Sequence, residues 1–195
     1  MQYQPILRKH SPMIEILLIR HGETAWNAEK RMQGHLDIGL NAAGLQQAAA
    51  LGRALRDEEF DAIVTSDLQR ASQTAAAVAA GRTPSVGIDA GLRERCFGGF
   101  EGLLYAELSI RHPDAYAAWQ SRELDVRYPA GVNVAETLRE FSERSLSTID
   151  RLAARVAGSA PVHRRLPCLP TVACSNALIA PRPVHRCSWR AISKS

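Results

Sequence analysis

An apolar run, Ile14, Ile16, Leu17, Leu18 and Ile19, stops at Arg20-His21-Gly22-Glu23. The run reads as a β-strand ending at the carboxyl edge of a sheet, which is where α/β proteins bind ligands. Arg20 and His21 are thereby delivered to the edge where a phosphate would sit. A guanidinium beside an imidazole suits an oxyanion with a nucleophile next to it, and Gly22 lets backbone N–H groups approach that ligand. The tripeptide alone equally describes an exposed Arg-His at a strand end.

The elements that follow alternate between helix and strand. Asn41 caps a helix through Ala48, Leu51 and Leu55. Asp61 to Thr65 is a short strand, and Ser66 or Asp67 caps a helix through Leu68, Ala71 and Ala75, which brings Arg70 near the sheet edge. Val86 to Ile88 is a further strand leading into Leu92-Arg93-Glu94. His112-Pro113 opens a helix holding Tyr116 and Trp119. Asn133 or the residues after it begin a long helix whose apolar face is Leu138, Phe141, Leu146, Ile149 and Leu152. With 195 residues, 46% of them hydrophobic, the chain can bury one substantial core as a single domain. No apolar stretch is long enough to span a membrane. Residues 1–12 read as a disordered leader too short in apolar content for a signal peptide, with Met13 a candidate start, and a cytoplasmic location follows by default.

Several separated blocks change the weight of the tripeptide. Arg20 to Asn27 (RHGETAWN) is followed by Met32-Gln33-Gly34, by Asp37 and Leu40-Asn41 with Gly44, and by Ser66-Asp67-Leu68-Gln69-Arg70 with Thr74. Leu92-Arg93-Glu94-Arg95 then precedes Gly98 and Glu101-Gly102. From Ile14 to Arg155 this series resembles the histidine phosphatase superfamily, also called the phosphoglycerate mutase-like family. The resemblance implies one three-layer α/β/α domain with a mostly parallel sheet over residues 13–155.

It also implies roles. His21 would attack phosphorus as a neutral imidazole and form a phosphohistidine. Arg20 and Arg70 would clamp the nonbridging oxygens, with Asn27 and Gln33 as further phosphate donors. Glu94 would be the general acid, its pKa raised by partial burial near Phe97 and Phe100. The plainer alternatives are an exposed Arg70 paired with Asp67 or Asp61, and a Glu94 paired with Arg93 or Arg95. His35, His112 and His163 receive no role. No metal or cofactor is called for, because arginines supply the positive charge. The partner is a small phosphorylated metabolite, with leaving-group contacts from loops near Leu103 to Tyr128. The short chain and the Phe97 to Gly102 block favour phosphomonoester hydrolysis, with phosphoglycerate mutase activity the alternative. Oligomeric state stays open.

After Arg155 the resemblance stops. No acidic residue follows Asp150, and Arg164, Arg165, Arg182, Arg186, Arg190 and Lys194 contribute +6, so the formal charge of +4 comes entirely from the tail and the rest of the chain is net −2. The tail lacks interleaved aromatics and any amphipathic period, which speaks against nucleic acid as a partner. Cys168, Cys174 and Cys187 fit no zinc spacing. Read one base earlier, the codons of Pro170 to Asn176 can spell His-Gly-Gly-Val-Leu-Glu, and those of Leu166 to Pro170 can spell Ala-Leu-Leu-Ala. The family's second catalytic block is a strand ending in Thr-His-Gly-Gly or similar. The expectation is therefore a frameshift between Arg155 and Leu166, with residues 156–195 out of frame. It carries the loss of the second histidine, of a central strand and of its following helix, leaving a poorly stable and nearly inactive chain. The alternatives are a genuine divergent C-terminus, a noncatalytic phosphate-binding remnant, and a degraded gene product without function.

Overall fold

Strand β1 (Ile14–Ile19) sends its side chains alternately to two faces, the period of two that a pleated strand imposes. Ile14, Ile16 and Leu18 pack with Val64, Leu92, Leu152 and Val156. Leu17 and Ile19 pack with Leu55, Phe60, Ile63, Ala75 and Val78. Apolar residues on both faces require cover on both. Helices α2 (Ala42–Ala54) and α3 (Gln69–Ala79) supply one layer, and α6 (Leu138–Gly158) supplies the other.

This computed structural model describes residues 14–158, 164–169 and 188–192. Strands β2 (Ile63–Thr65), β3 (Val86–Ile88), β4 (Arg164–Leu169) and β5 (Ser188–Ile192) complete a five-stranded sheet in the order β3-β2-β4-β1-β5. Its ladders are all parallel. The architecture is the expected α/β/α. One expectation is corrected, because a central strand is present: β4 lies between β1 and β2, with Leu18 level with Cys168 and Thr65 level with Leu169. The leader, His163, Cys174 and Cys187 lie outside the described residues. No described helix is long and apolar enough to cross a membrane.

Local signals set some helix ends and distant residues set others. Asn41 accepts the Gly44 N–H at 2.8 Å, as its residue type predicts. Helix α3 differs, since neither Ser66 nor Asp67 caps it. Its first N–H, from Gln69, donates to Asp37 Oδ1 at 2.7 Å across 32 residues of sequence, while Asp67 takes the Arg93 fork. Helix α6 begins at Leu138 rather than near Asn133. Thr137 and Glu140 exchange side-chain and backbone bonds at 3.1 and 2.9 Å in a capping box. Its buried face is Phe141, Ser145, Thr148, Leu152 and Val156, whereas Leu146 is 44% exposed. Small polar groups suit that face because the helix passes close to the 90–92 turn: a Cβ at Gly91 would meet Thr148 Oγ1 at 2.1 Å.

Residues 103–128 are largely helical rather than a set of loops. Helices α4 (Tyr105–Arg111) and α5 (Pro113–Ser121), the latter opening on proline as expected, close over a third apolar cluster. Met32, Phe100, Leu108, Tyr128 and Ala135 form its centre, with Phe100 stacked on Tyr128 at 4.6 Å between ring centroids.

Candidate active site

The end of β1 and the start of α2 meet backbone against backbone. A Cβ on Gly44 would lie 2.0 Å from the Glu23 carbonyl oxygen, and one on Gly22 would lie 2.4 Å from the Gly44 oxygen. No side chain fits at either position, so the loop bearing His21 is seated directly on α2. The Gly22 N–H donates to Thr74 Oγ1 at 3.1 Å. The glycine allows this close packing, and its own N–H is spent on α3.

His21 is 8% exposed. Its Nδ1 stands 2.6 Å from the Gly22 carbonyl oxygen, which can only accept, so Nδ1 carries the proton and Nε2 keeps the lone pair. Burial, with the positive fields of Arg70 and Arg20, lowers its pKa from 6.5 to about 4 against the raising effect of that hydrogen bond. The ring is neutral at pH 7.

A stability change with pH follows. As pH falls through 6.5 the unfolded imidazole takes a proton that the folded one refuses until about pH 4. Between those values the unfolded state binds more protons, so this contribution is complete above 6.5 and declines toward 4, by up to about 3 kcal/mol. Urea denaturation at the two ends of the window should show the loss, and the His21→Asn chain should lose less. Equal losses in both chains would remove His21 as the cause.

Arg70 belongs to α3 and is fully buried. Its Nη2 donates to the Gly34 carbonyl at 2.7 Å and its Nη1 to that of Leu36 at 3.2 Å, so it is not the exposed, Asp-paired arginine of the plainer reading. Its Nε–H is buried with no partner. Burial acts against its charge, while Glu94, Asp37 and Glu101 favour it. A buried cation with an idle donor is costly to the fold, and an arriving anion offsets that cost. Arg20, just past β1, is exposed.

Glu94 is 6% exposed, and its Oε1 accepts the Arg95 N–H at 2.8 Å. Of the neighbouring guanidinium groups, Arg93 forks onto Asp67, while Arg95 donates to the Glu136 carbonyl at 3.0 Å, lies 4.4 Å over the Tyr128 ring and feels the charges of Glu136 and Glu94. Glu94 acts electrostatically on Arg70 and, together with Arg20, on Tyr105, the half-exposed first residue of α4. His21, Arg20, Arg70 and Glu94 thus share one site.

Asn27 and Gln33 are joined to each other through Thr24. Thr24 caps the short helix α1 (Ala25–Ala28), and Asn27 Oδ1 accepts from the Thr24 N–H at 3.1 Å. Thr24 Oγ1 donates to Gln33 Oε1 at 2.8 Å. With both carbonyl oxygens facing Thr24, the amide NH2 groups are what remain for an anion. Among the described residues no three His, Cys, Asp or Glu side chains converge as a metal ion would need.

Two groups around the site received no role from the sequence, although Thr74 belongs to one of the quoted blocks. Thr74 bonds Gly22 and the Arg70 carbonyl, the latter at 2.8 Å. Arg144 and Glu136 form a pair at 2.7 Å against the Glu94 loop. Thr74 stands four residues after Arg70, one helical turn on, which is a usable signal. The partnership of residues 136 and 144 with Glu94 has no local signature.

Residues 16–162 match the histidine phosphatase superfamily (branch 1). The chain is 42% identical over 141 residues to phosphoglycerate mutase-like protein 4 of Arabidopsis thaliana, covering 71% of this chain and 60% of that protein. It is 36% identical over 156 residues to the metal-independent phosphoserine phosphatase of Arabidopsis thaliana, covering 78% and 63%. It therefore spans about three fifths of the length of these relatives. Among solved structures, that of Bacillus stearothermophilus YhfR superposes with a TM-score of 0.68 at 35% identity, covering 78% of this chain and 72% of that one.

Proposed function

Because the chain belongs to the histidine phosphatase superfamily, branch 1, we propose that it hydrolyses phosphomonoesters of small metabolites through a phosphohistidine on His21. The observation that carries this reading is the His21 tautomer. With Nδ1–H donated to Gly22, the unprotonated Nε2 is the nucleophile, and burial keeps it unprotonated at neutral pH. Arg20 and Arg70 take the nonbridging oxygens, Asn27 and Gln33 add amide donors, and Glu94 protonates the leaving alkoxide before taking a proton from the attacking water. Phosphoserine-like and phosphoglycerate-like esters are the first substrates to try, given what the two plant relatives are named for.

Quenching the chain with para-nitrophenyl phosphate and mapping an acid-labile phosphoryl group tests the reading. Modification of the peptide carrying His21 supports it, and label on any other residue sinks it. Isomerisation of phosphoglycerate with and without a bisphosphorylated primer separates hydrolysis from the mutase alternative, which the mutase-like relative favours.

We further propose that the segment after Arg155 is translated one base out of frame. Strand β4 runs between two apolar strands yet reads Arg-Arg-Leu-Pro-Cys-Leu, with Pro167 level with Leu17. Proline has no N–H for a ladder and is disfavoured in central strands. The shifted frame reads Ala-Leu-Leu-Ala over the codons of Leu166 to Pro170 and then histidine across those of Pro170 and Thr171. Cys168 is level with Leu18, so that histidine would stand at the same sheet edge as Arg20 and His21.

A further inference from the structure

His35 lies within the loop that holds Arg70, yet its side chain is turned to the Glu94 loop. The carbonyls on either side of it, those of Gly34 and Leu36, both accept from the Arg70 guanidinium, at 2.7 and 3.2 Å. Its own ring Nε2 is 2.8 Å from the Glu94 carbonyl oxygen, which can only accept, so Nε2 carries the proton. Its backbone N–H donates to Glu101 Oε1 at 2.8 Å, and the Phe97 N–H donates to the same oxygen at 2.9 Å. Gly34 sits so close to Glu101 that a Cβ there would lie 2.1 Å from Oε1. The turn bearing His35 is thus fixed from several sides.

The Glu94 carbonyl has a second donor. Arg144 Nη2 reaches it at 3.2 Å, while Arg144 Nη1 holds the carbonyls of Gly91 and Arg93 at 2.9 and 3.2 Å. Glu136 fixes Arg144 through two bonds of 2.7 Å and accepts the Cys96 N–H at 2.9 Å. Arg144 therefore secures the Glu94 loop to α6, behind the site. His35 is the side-chain donor that ties the Glu94 backbone to the turn whose carbonyls hold Arg70.

The geometry points to His35 as a positioning residue that sets the Glu94 carboxyl relative to the Arg70 guanidinium, through one hydrogen bond to the Glu94 backbone. This rests on the reading of Glu94 as the general acid. Its consequence is selective, because an alkoxide cannot leave without a proton whereas a nitrophenolate can. In the step that phosphorylates His21, a displaced acid therefore slows alkyl esters and spares activated aryl esters.

The test compares kcat/KM, which covers only the steps up to phosphorylation of His21, for the full chain on glycerol phosphate and on para-nitrophenyl phosphate, with release of labelled phosphate to register slow turnover. His35→Leu removes the donor and is expected to lower kcat/KM on glycerol phosphate by about 10- to 100-fold, with less than about a twofold change in kcat/KM on the aryl ester. His35→Gln keeps an N–H at similar reach and should restore most of the alkyl rate. Should the leucine variant not fold, His35→Asn, whose amide stops short of the carbonyl, replaces it with the same expectation. Equal losses on both esters make His35 merely structural and overturn the inference, as does no loss on either. Absence of turnover on both esters before any substitution overturns the hydrolytic reading, and this inference with it.

Discussion

Replacing His21 with alanine is expected to reduce phosphate release by at least on the order of 1000-fold, on alkyl and aryl esters alike. The expectation differs from that for any other residue of the site. Arg20, Arg70, Asn27, Gln33 and Glu94 can be removed singly and leave a nucleophile in place, whereas no described neighbour can replace a buried, neutral Nε2 whose proton is pinned on Nδ1 by Gly22. The idle Nε–H of Arg70 remains, so inorganic phosphate should still raise the melting temperature of the His21→Ala chain. Turnover within tenfold of the parent would mean that water attacks directly and that the phosphohistidine reading is wrong. Phosphate binding without turnover in the parent itself would instead identify a noncatalytic phosphate-binding protein.

Restoring the reading frame after Arg155 is expected to raise turnover by on the order of 100- to 1000-fold. That is the usual cost of deleting one charge-stabilising donor at a transferring group, and the shifted frame supplies one such donor as the histidine that follows Ala-Leu-Leu-Ala. The same change replaces Pro167 in a strand paired on both sides, so the urea midpoint should rise as well. Two chains made from genes differing by the single base, each verified by intact mass, settle the comparison. A restored chain that is no faster, or third-position bases in the gene that forbid the His-Gly-Gly reading, would make the tail a genuine divergent C-terminus.

What could be read from sequence divides along a physical line. Signals that act over a few residues were legible: the apolar run of β1, the Asn41 cap, Pro113 at a first turn, and the delivery of Arg20 and His21 to a sheet edge. Features made by residues far apart in the chain were not. Asp37 caps α3 and displaces the nearby Asp67, which a capping rule confined to adjacent residues favours. Leu146 fits an apolar period, yet Ser145 and Thr148 face inward because the 90–92 turn leaves no room for a larger group there. Thr137 with Glu140 was a legible capping box that the apolar period of α6 overshadowed. His35 is the plainest case: nothing beside it in sequence indicates that its ring reaches the Glu94 carbonyl.

The place of β4 has a bearing on how the chain is made. The ladders that join Ile14 to Arg164 and Thr65 to Leu169 put a strand synthesised late between two synthesised early. At ordinary elongation rates roughly ten seconds separate the emergence of β2 from that of β4. Throughout that interval β1 and β2 leave the ribosome as facing open edges, with unpaired N–H and C=O groups available to any neighbouring nascent chain. Dependence on a holding chaperone should therefore be greatest before residue 164 is translated, and pausing codons upstream of it should cost yield more than pausing codons after residue 169.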